Sequence, residues 1–198
     1  MDGLRVSTAT YATYQCLRKT AYGGMLRPKT KLAGFAMETA STENEFESLS
    51  WHDCSIWGID FLVGDPDEDD WTDDLVFHLD FIVEWICGVD RKAKFRVAPA
   101  RLAFHGVTGP KIAIDWGDGR YQVVPHAVTI NRITREPIKD QKVFPGRPYF
   151  RWTVDVHPPI RGVIEFGAVG FTQTLLAEPI LCDRQHLTLR KRSRLTCR

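Results

Sequence analysis

The stretch Asp74-Leu75-Val76-Phe77-His78-Leu79-Asp80-Phe81-Ile82-Val83-Glu84-Trp85 decides the fold class. Leu75, Phe77, Leu79, Phe81, Val83 and Trp85 share one parity, and His78, Asp80 and Glu84 fall on the other. Successive side chains of a strand point to opposite faces, so a period of two over this length predicts a strand at 74–86. Just upstream, Trp57, Ile59, Phe61 and Val63 alternate with Gly58, Asp60 and Leu62, which predicts a strand at 54–63.

Working outward, further strands are expected at 95–99, 101–105, 111–116, 127–132, 150–157 and 162–171. Turn signals separate them: Gly106, Gly109-Pro110, Gly117-Asp118-Gly119, Pro145-Gly146 and Pro158-Pro159. Asp118-Gly119 fits a tight hairpin. No long helical period lies between the strands, so the crossover helices of a parallel sheet are missing. The expected fold is all-β, an antiparallel sandwich or barrel with few short helices.

Three segments follow from changes of texture. Residues 1–50 hold neither a period of two nor one of 3.6 and read as a loosely structured extension, with short helices at 9–20 and 43–49. Residues 51–183 form the β domain. Residues 184–198 carry Arg184, Arg190, Lys191, Arg192, Arg194 and Arg198 with no acid, and read as a disordered basic tail. Weak contact with nucleic acid or an acidic partner, and then an internal contact with the Asp65–Asp74 block, are the alternatives.

Composition excludes several function classes. The 198 residues carry Lys+Arg 26 against Asp+Glu 25, a net charge of +1, so a globally basic nucleic-acid binder is not expected. No run of 18 apolar residues suggests a membrane helix. Cys16, Cys54, Cys87, Cys182 and Cys197 form no CxxC pair and read as reduced thiols, and no secretory leader is visible, so a cytoplasmic setting is expected. GxGxxG, P-loop, GxSxG and HExxH motifs are absent, so no cofactor is expected and a non-enzymatic role is favoured.

The residues able to carry chemistry are few. His78-Leu79-Asp80 and Asp155-Val156-His157 each place two ligand-capable groups at i, i+2, on one face of a strand and about 6–7 Å apart. Side by side, those strands would offer a transition metal two imidazoles and two carboxylates, with Glu84 or Glu165 as acid–base group. The solvated face of a half-exposed sheet explains the same residues. His52-Asp53 is a second candidate, although neighbours in a strand face opposite ways unless the chain bends. Asp65, Asp67, Glu68, Asp69, Asp70, Asp73 and Asp74 form an acidic block without the spacing of an EF-hand, which reads as a solvated hairpin loop. The tryptophans read first as core filling; a ligand or partner surface at Trp51 and Trp71, which lie at strand edges, is the lesser alternative.

The ordered motifs Trp51-His52-Asp53, Leu79-Asp80-Phe81-Ile82-Val83-Glu84-Trp85, Phe95-Arg96-Val97-Ala98-Pro99-Ala100, Leu102-Ala103-Phe104, Gly162-Val163-Ile164-Glu165-Phe166, Gly170-Phe171-Thr172-Gln173 and Pro179-Ile180-Leu181 resemble a family of small, uncharacterised bacterial proteins. The resemblance spans 51–190 and implies residue 51 as the domain start, but imports no catalytic residue. The opening Trp51-His52-Asp53 is also similar to small immunity-type proteins of bacterial toxin systems. Three functions are therefore weighed: a binding protein of unknown partner, a metal-dependent enzyme using His78, Asp80, Asp155 and His157, and an immunity-like protein whose acidic loop meets a basic protein partner.

Overall fold

A computed structural model describes residues 41–87, 93–115, 128–139, 142, 144–157 and 161–196. The expected helix at 9–20 and the Asp118-Gly119 hairpin lie outside them. The strands are β1 (Ser41–Thr42), β2 (Ser55–Val63), β3 (Asp73–Cys87), β4 (Ala93–His105), β5 (Thr108–Asp115), β6 (Val128–Pro137), β7 (Phe150–Val156), β8 (Arg161–Ala168), β9 (Gly170–Leu175) and β10 (Ile180–Cys182). Among the described residues, 3-10 helices occupy Glu43–Ser48 and Pro66–Glu68, and an α-helix, α1, spans Leu189–Thr196.

The strands form one antiparallel sheet in the order β1-β9-β4-β3-β2-β6-β7-β8-β5, with β10 also on β4. The sheet is not closed into a barrel. Its two halves meet narrowly, at Ser55↔Thr129 and Ile56↔Val128, and then face one another. The parity read from β3 sets this up: Leu75, Phe77 and Leu79 are fully buried, as are Leu102 and Phe104 on β4. Across the interior, the Phe104 ring lies 5.0 Å from Trp152 of β7 and 4.7 Å from Phe166 of β8, and Trp152 lies 5.8 Å from Phe171 of β9. Edge-to-face rings at these distances contribute about 0.5–1.5 kcal/mol per pair beyond their burial.

The two strands expected at 95–99 and 101–105 are one, β4, with Pro99 inside it. A proline lacks the ladder donor and normally ends a central strand. Leu176 N donates to Pro99 O at 2.8 Å, so the N and C=O of Pro99 face the β9–β10 side. There the neighbouring chain has left β9 and not yet entered β10, so no ladder bond is lost. Conversely, the single strand expected at 162–171 is two. It turns at Val169, whose N–H bonds His105 O at 3.0 Å, opposite the bend at Gly106. Gly106 has φ +60, which favours glycine, and a Cβ there would stand 2.8 Å from the end of the Phe144 ring, which would have to shift.

Both termini of the β domain differ from expectation. The short helix expected at 43–49 is present, but it belongs to the fold: β1 pairs with β9, and Phe46 packs 5.4 Å from Trp152 and 5.7 Å from Trp51. The domain therefore includes residues 41–50, where Trp51 had been expected as its start. The basic tail is not a disordered end over 184–196 either. It runs across the outward face of β3, and α1 inserts Arg192 there rather than against the acidic block. Cys54 and Cys182 are buried thiols, whereas Cys87 is disulfide-bonded, which corrects the expectation of reduced thiols throughout. No described helix is long and apolar enough to cross a membrane.

Candidate functional site

The four predicted metal ligands are not brought together. β2 and β6 stand between β3 and β7 in the strand order, so His78 and Asp80 lie apart from Asp155 and His157. Each has another partner. His78 Nε2 is 2.6 Å from Asp60 Oδ2 on β2, and its ring lies 5.1 Å from Trp57. Asp80 is fully buried and accepts from Leu187 N at 2.8 Å and from Arg192 Nη2 at 2.6 Å. Asp155 accepts from Arg132 Nη2 at 3.0 Å. Glu84 pairs with Arg96 at 3.2 Å, and Glu165 stands opposite Lys111 on β5. Same-face spacing within a strand was legible; adjacency of strands was not.

His157 instead meets the other sequence candidate, His52-Asp53. The chain bends there: Asp53 adopts φ +65, a left-handed conformation that Asp tolerates better than most residues. The bend is pinned by Asp53 N to Ile130 O at 2.8 Å and Cys54 N to Trp51 O at 3.0 Å. It turns His52 and Asp53 toward one another, which a straight strand would forbid. His157 N bonds Thr129 O at 2.8 Å, which brings the end of β7 to the same place.

His157 Nε2 lies 2.9 Å from Asp53 Oδ1, and His52 Nε2 lies 3.6 Å from Asp53 Oδ2. The imidazole rings are 4.9 Å apart. One donor atom from each of the three residues falls within 4.8 Å of the others. Asp53 is only 6% exposed, and its Oδ2 also accepts from Gln185 Nε2 at 3.0 Å. Gln185 comes from the C-terminal segment, and nothing in its sequence context marks it. His52 reaches the surface, where it borders a cleft of about 240 Å³ lined also by Glu47, Asn131 and Arg132.

The acidic block forms a second feature. Beyond Ile56, β2 is paired with β3 and with no other described strand, so among the described residues its outer half is a sheet edge. Phe61, Val63 and Trp71 are 51%, 75% and 72% exposed at that end. The loop is ordered by its own acids: Asp65 accepts from Asp67 N at 3.0 Å, and Asp70 Oδ1 accepts from Thr72 Oγ1 at 2.6 Å. Hydrogen bonds from Thr72, first its side chain and then its backbone, hold the Asp70 carboxyl below the usual aspartate value.

Comparison with protein-family models, curated proteins and solved structures finds no match to this chain.

Proposed function

We infer that this is a non-enzymatic binding protein whose partner surface is the outer half of β2 with the loop to β3, and that the partner is a basic protein. The observation that carries the reading is the exposure of Phe61 and Val63 on an open strand edge, and of Trp71 in the loop that follows it, beside seven acids. An apolar, unpaired edge is a template for strand pairing, and folded proteins normally cover or charge it. Here the charges are all of one sign. Two copies of the chain would bring like charges together, so self-pairing is opposed, while a cationic partner is attracted and steered. Neutralisation of such a partner, as immunity-type proteins do, fits this arrangement.

The test is co-purification from the native cells at low salt and again near 1 M, where the Debye length falls from about 10 Å to about 3 Å. A basic protein retained by the wild-type chain at low salt, and lost with Phe61→Ser, Val63→Ser and Trp71→Ser combined, supports the reading. Equal recovery by this variant, or no basic protein recovered at low salt, overturns it.

A further inference from the structure

We propose that His52, Asp53 and His157 form a binding site for a single divalent transition-metal ion of the Zn²⁺ class, separate from the β2–β3 edge. The argument begins with a tautomer. His52 Nδ1 lies 2.7 Å from Asn131 O. A carbonyl oxygen only accepts, so Nδ1 carries the hydrogen, and in the neutral ring Nε2 is a bare lone pair. That Nε2 is buried, has no hydrogen-bond partner among the described residues, and faces the Asp53 carboxylate at 3.6 Å. A lone pair held against an anion is repelled unless a positive charge lies between them.

The surroundings are those of a metal ligand set. An Nδ1–H bonded to a backbone carbonyl is the usual way a ligating histidine is oriented, leaving Nε2 for the ion. Gln185 performs the corresponding task for Asp53, fixing Oδ2 from outside the triad. Asp53 keeps its left-handed backbone although a buried, non-glycine residue bears a strain there. Two imidazoles with one carboxylate favour Zn²⁺ and its transition-metal neighbours over Mg²⁺ or Ca²⁺, which prefer oxygen alone. Since the three donor atoms lie within 4.8 Å of each other, modest side-chain shifts bring them to the roughly 2.0–2.2 Å bonds that Zn²⁺ makes. Three protein ligands leave a fourth position for water or an incoming group.

The competing account is a proton: a doubly protonated His52 would satisfy Asp53 with no metal. The two are separated by titrating the full, untagged chain, stripped with a chelator, with Zn²⁺ alone by equilibrium dialysis and with Co²⁺ followed by its visible absorption. The expected result is one equivalent bound, with affinity lowered at least about 100-fold by His157→Ala and by His52→Gln, and about 10–100-fold by Gln185→Ala. His78→Ala, which removes a different His–Asp pair, leaves the affinity unchanged. His52 borders the surface, so His52→Gln serves if His157→Ala fails to fold, as judged by circular dichroism. Absence of stoichiometric binding, or binding indifferent to His52→Gln and Gln185→Ala, overturns the proposal.

Discussion

The guanidinium of Arg192 forks onto the carboxylate of Asp80, with Nε 3.0 Å from Oδ1 and Nη2 2.6 Å from Oδ2. Asp80 is fully buried on the outward face of β3, and its Oδ2 also accepts from Leu187 N. The Arg192 guanidinium carbon lies 4.8 Å from the centre of the Trp57 ring. This pair, with Leu187 N on the same carboxylate and Gln185 on Asp53, holds the C-terminal segment on the sheet. Removing one member of a buried pair leaves an uncompensated charge, so Arg192→Ala is expected to destabilise the fold by about 3–5 kcal/mol. The double variant Asp80→Leu with Arg192→Met should recover part of that loss. It will not recover all of it, because the Leu187 amide then lacks its acceptor, at about 1–3 kcal/mol. Urea unfolding of the three chains measures both steps.

At the hairpin end, the low carboxyl of Asp70 has a consequence with a definite sign. A depressed folded-state value stabilises the folded loop above the unfolded aspartate range. That contribution is lost as pH falls through the folded-state value. A side-chain NMR titration should find Asp70 ionising below an ordinary exposed aspartate. Thr72→Val removes the hydroxyl at 2.6 Å and keeps the shape, so the midpoint should rise. An unchanged midpoint would show that Thr72 Oγ1 does not hold the carboxylate.

How far these relationships could be read from sequence depends on range. The alternation in β2 located the strand but not its buried side, since Trp57, Phe61 and Val63 are exposed. β3 was legible because its parity is local: each of Leu75, Phe77 and Leu79 reports its own face. The continuity of β4 was not, since the reason Pro99 is tolerated is a break between β9 and β10 some 80 residues later. His52, Asp53 and His157 were each visible as ligand-capable residues, but two facts that unite them were hidden. One is the left-handed turn at Asp53, the other the β2–β6 junction that carries β7 to it. The place of the acid-free run after Asp183 is not legible, because charge pattern alone does not reveal that Asp80, more than a hundred residues earlier, is a buried carboxylate in need of a cation.

Phe46 tests where the domain begins. Its ring sits against Trp51, Trp152 and Phe171, and the Arg135 guanidinium lies 4.4 Å from its centre. Phe46→Ala opens that aromatic cluster and should cost about 2–4 kcal/mol, somewhat less than for a fully buried phenylalanine. Phe46→Leu should cost under half as much. A change within about 0.5 kcal/mol for the alanine variant would instead place the domain start after residue 50.

Cys182 gives the fold an alkaline limit. It lies at the end of β10, 6% exposed, and burial pushes its thiol above the ordinary cysteine value, with Asp183 and Asp80 adding to the shift and Lys191 opposing it. A raised folded-state value means that the folded chain keeps the proton longer than the unfolded one. The resulting stabilisation is complete below the unfolded thiol range and is lost as pH rises through the folded-state value. Chemical unfolding from pH 8 upward should therefore show stability falling in the wild-type chain, with a shallower fall in Cys182→Ala. The two slopes should differ only in that alkaline window, since alanine has no proton to release. Identical slopes would mean that Cys182 titrates alike in both states, and that its burial leaves the thiolate as well solvated as in the unfolded chain.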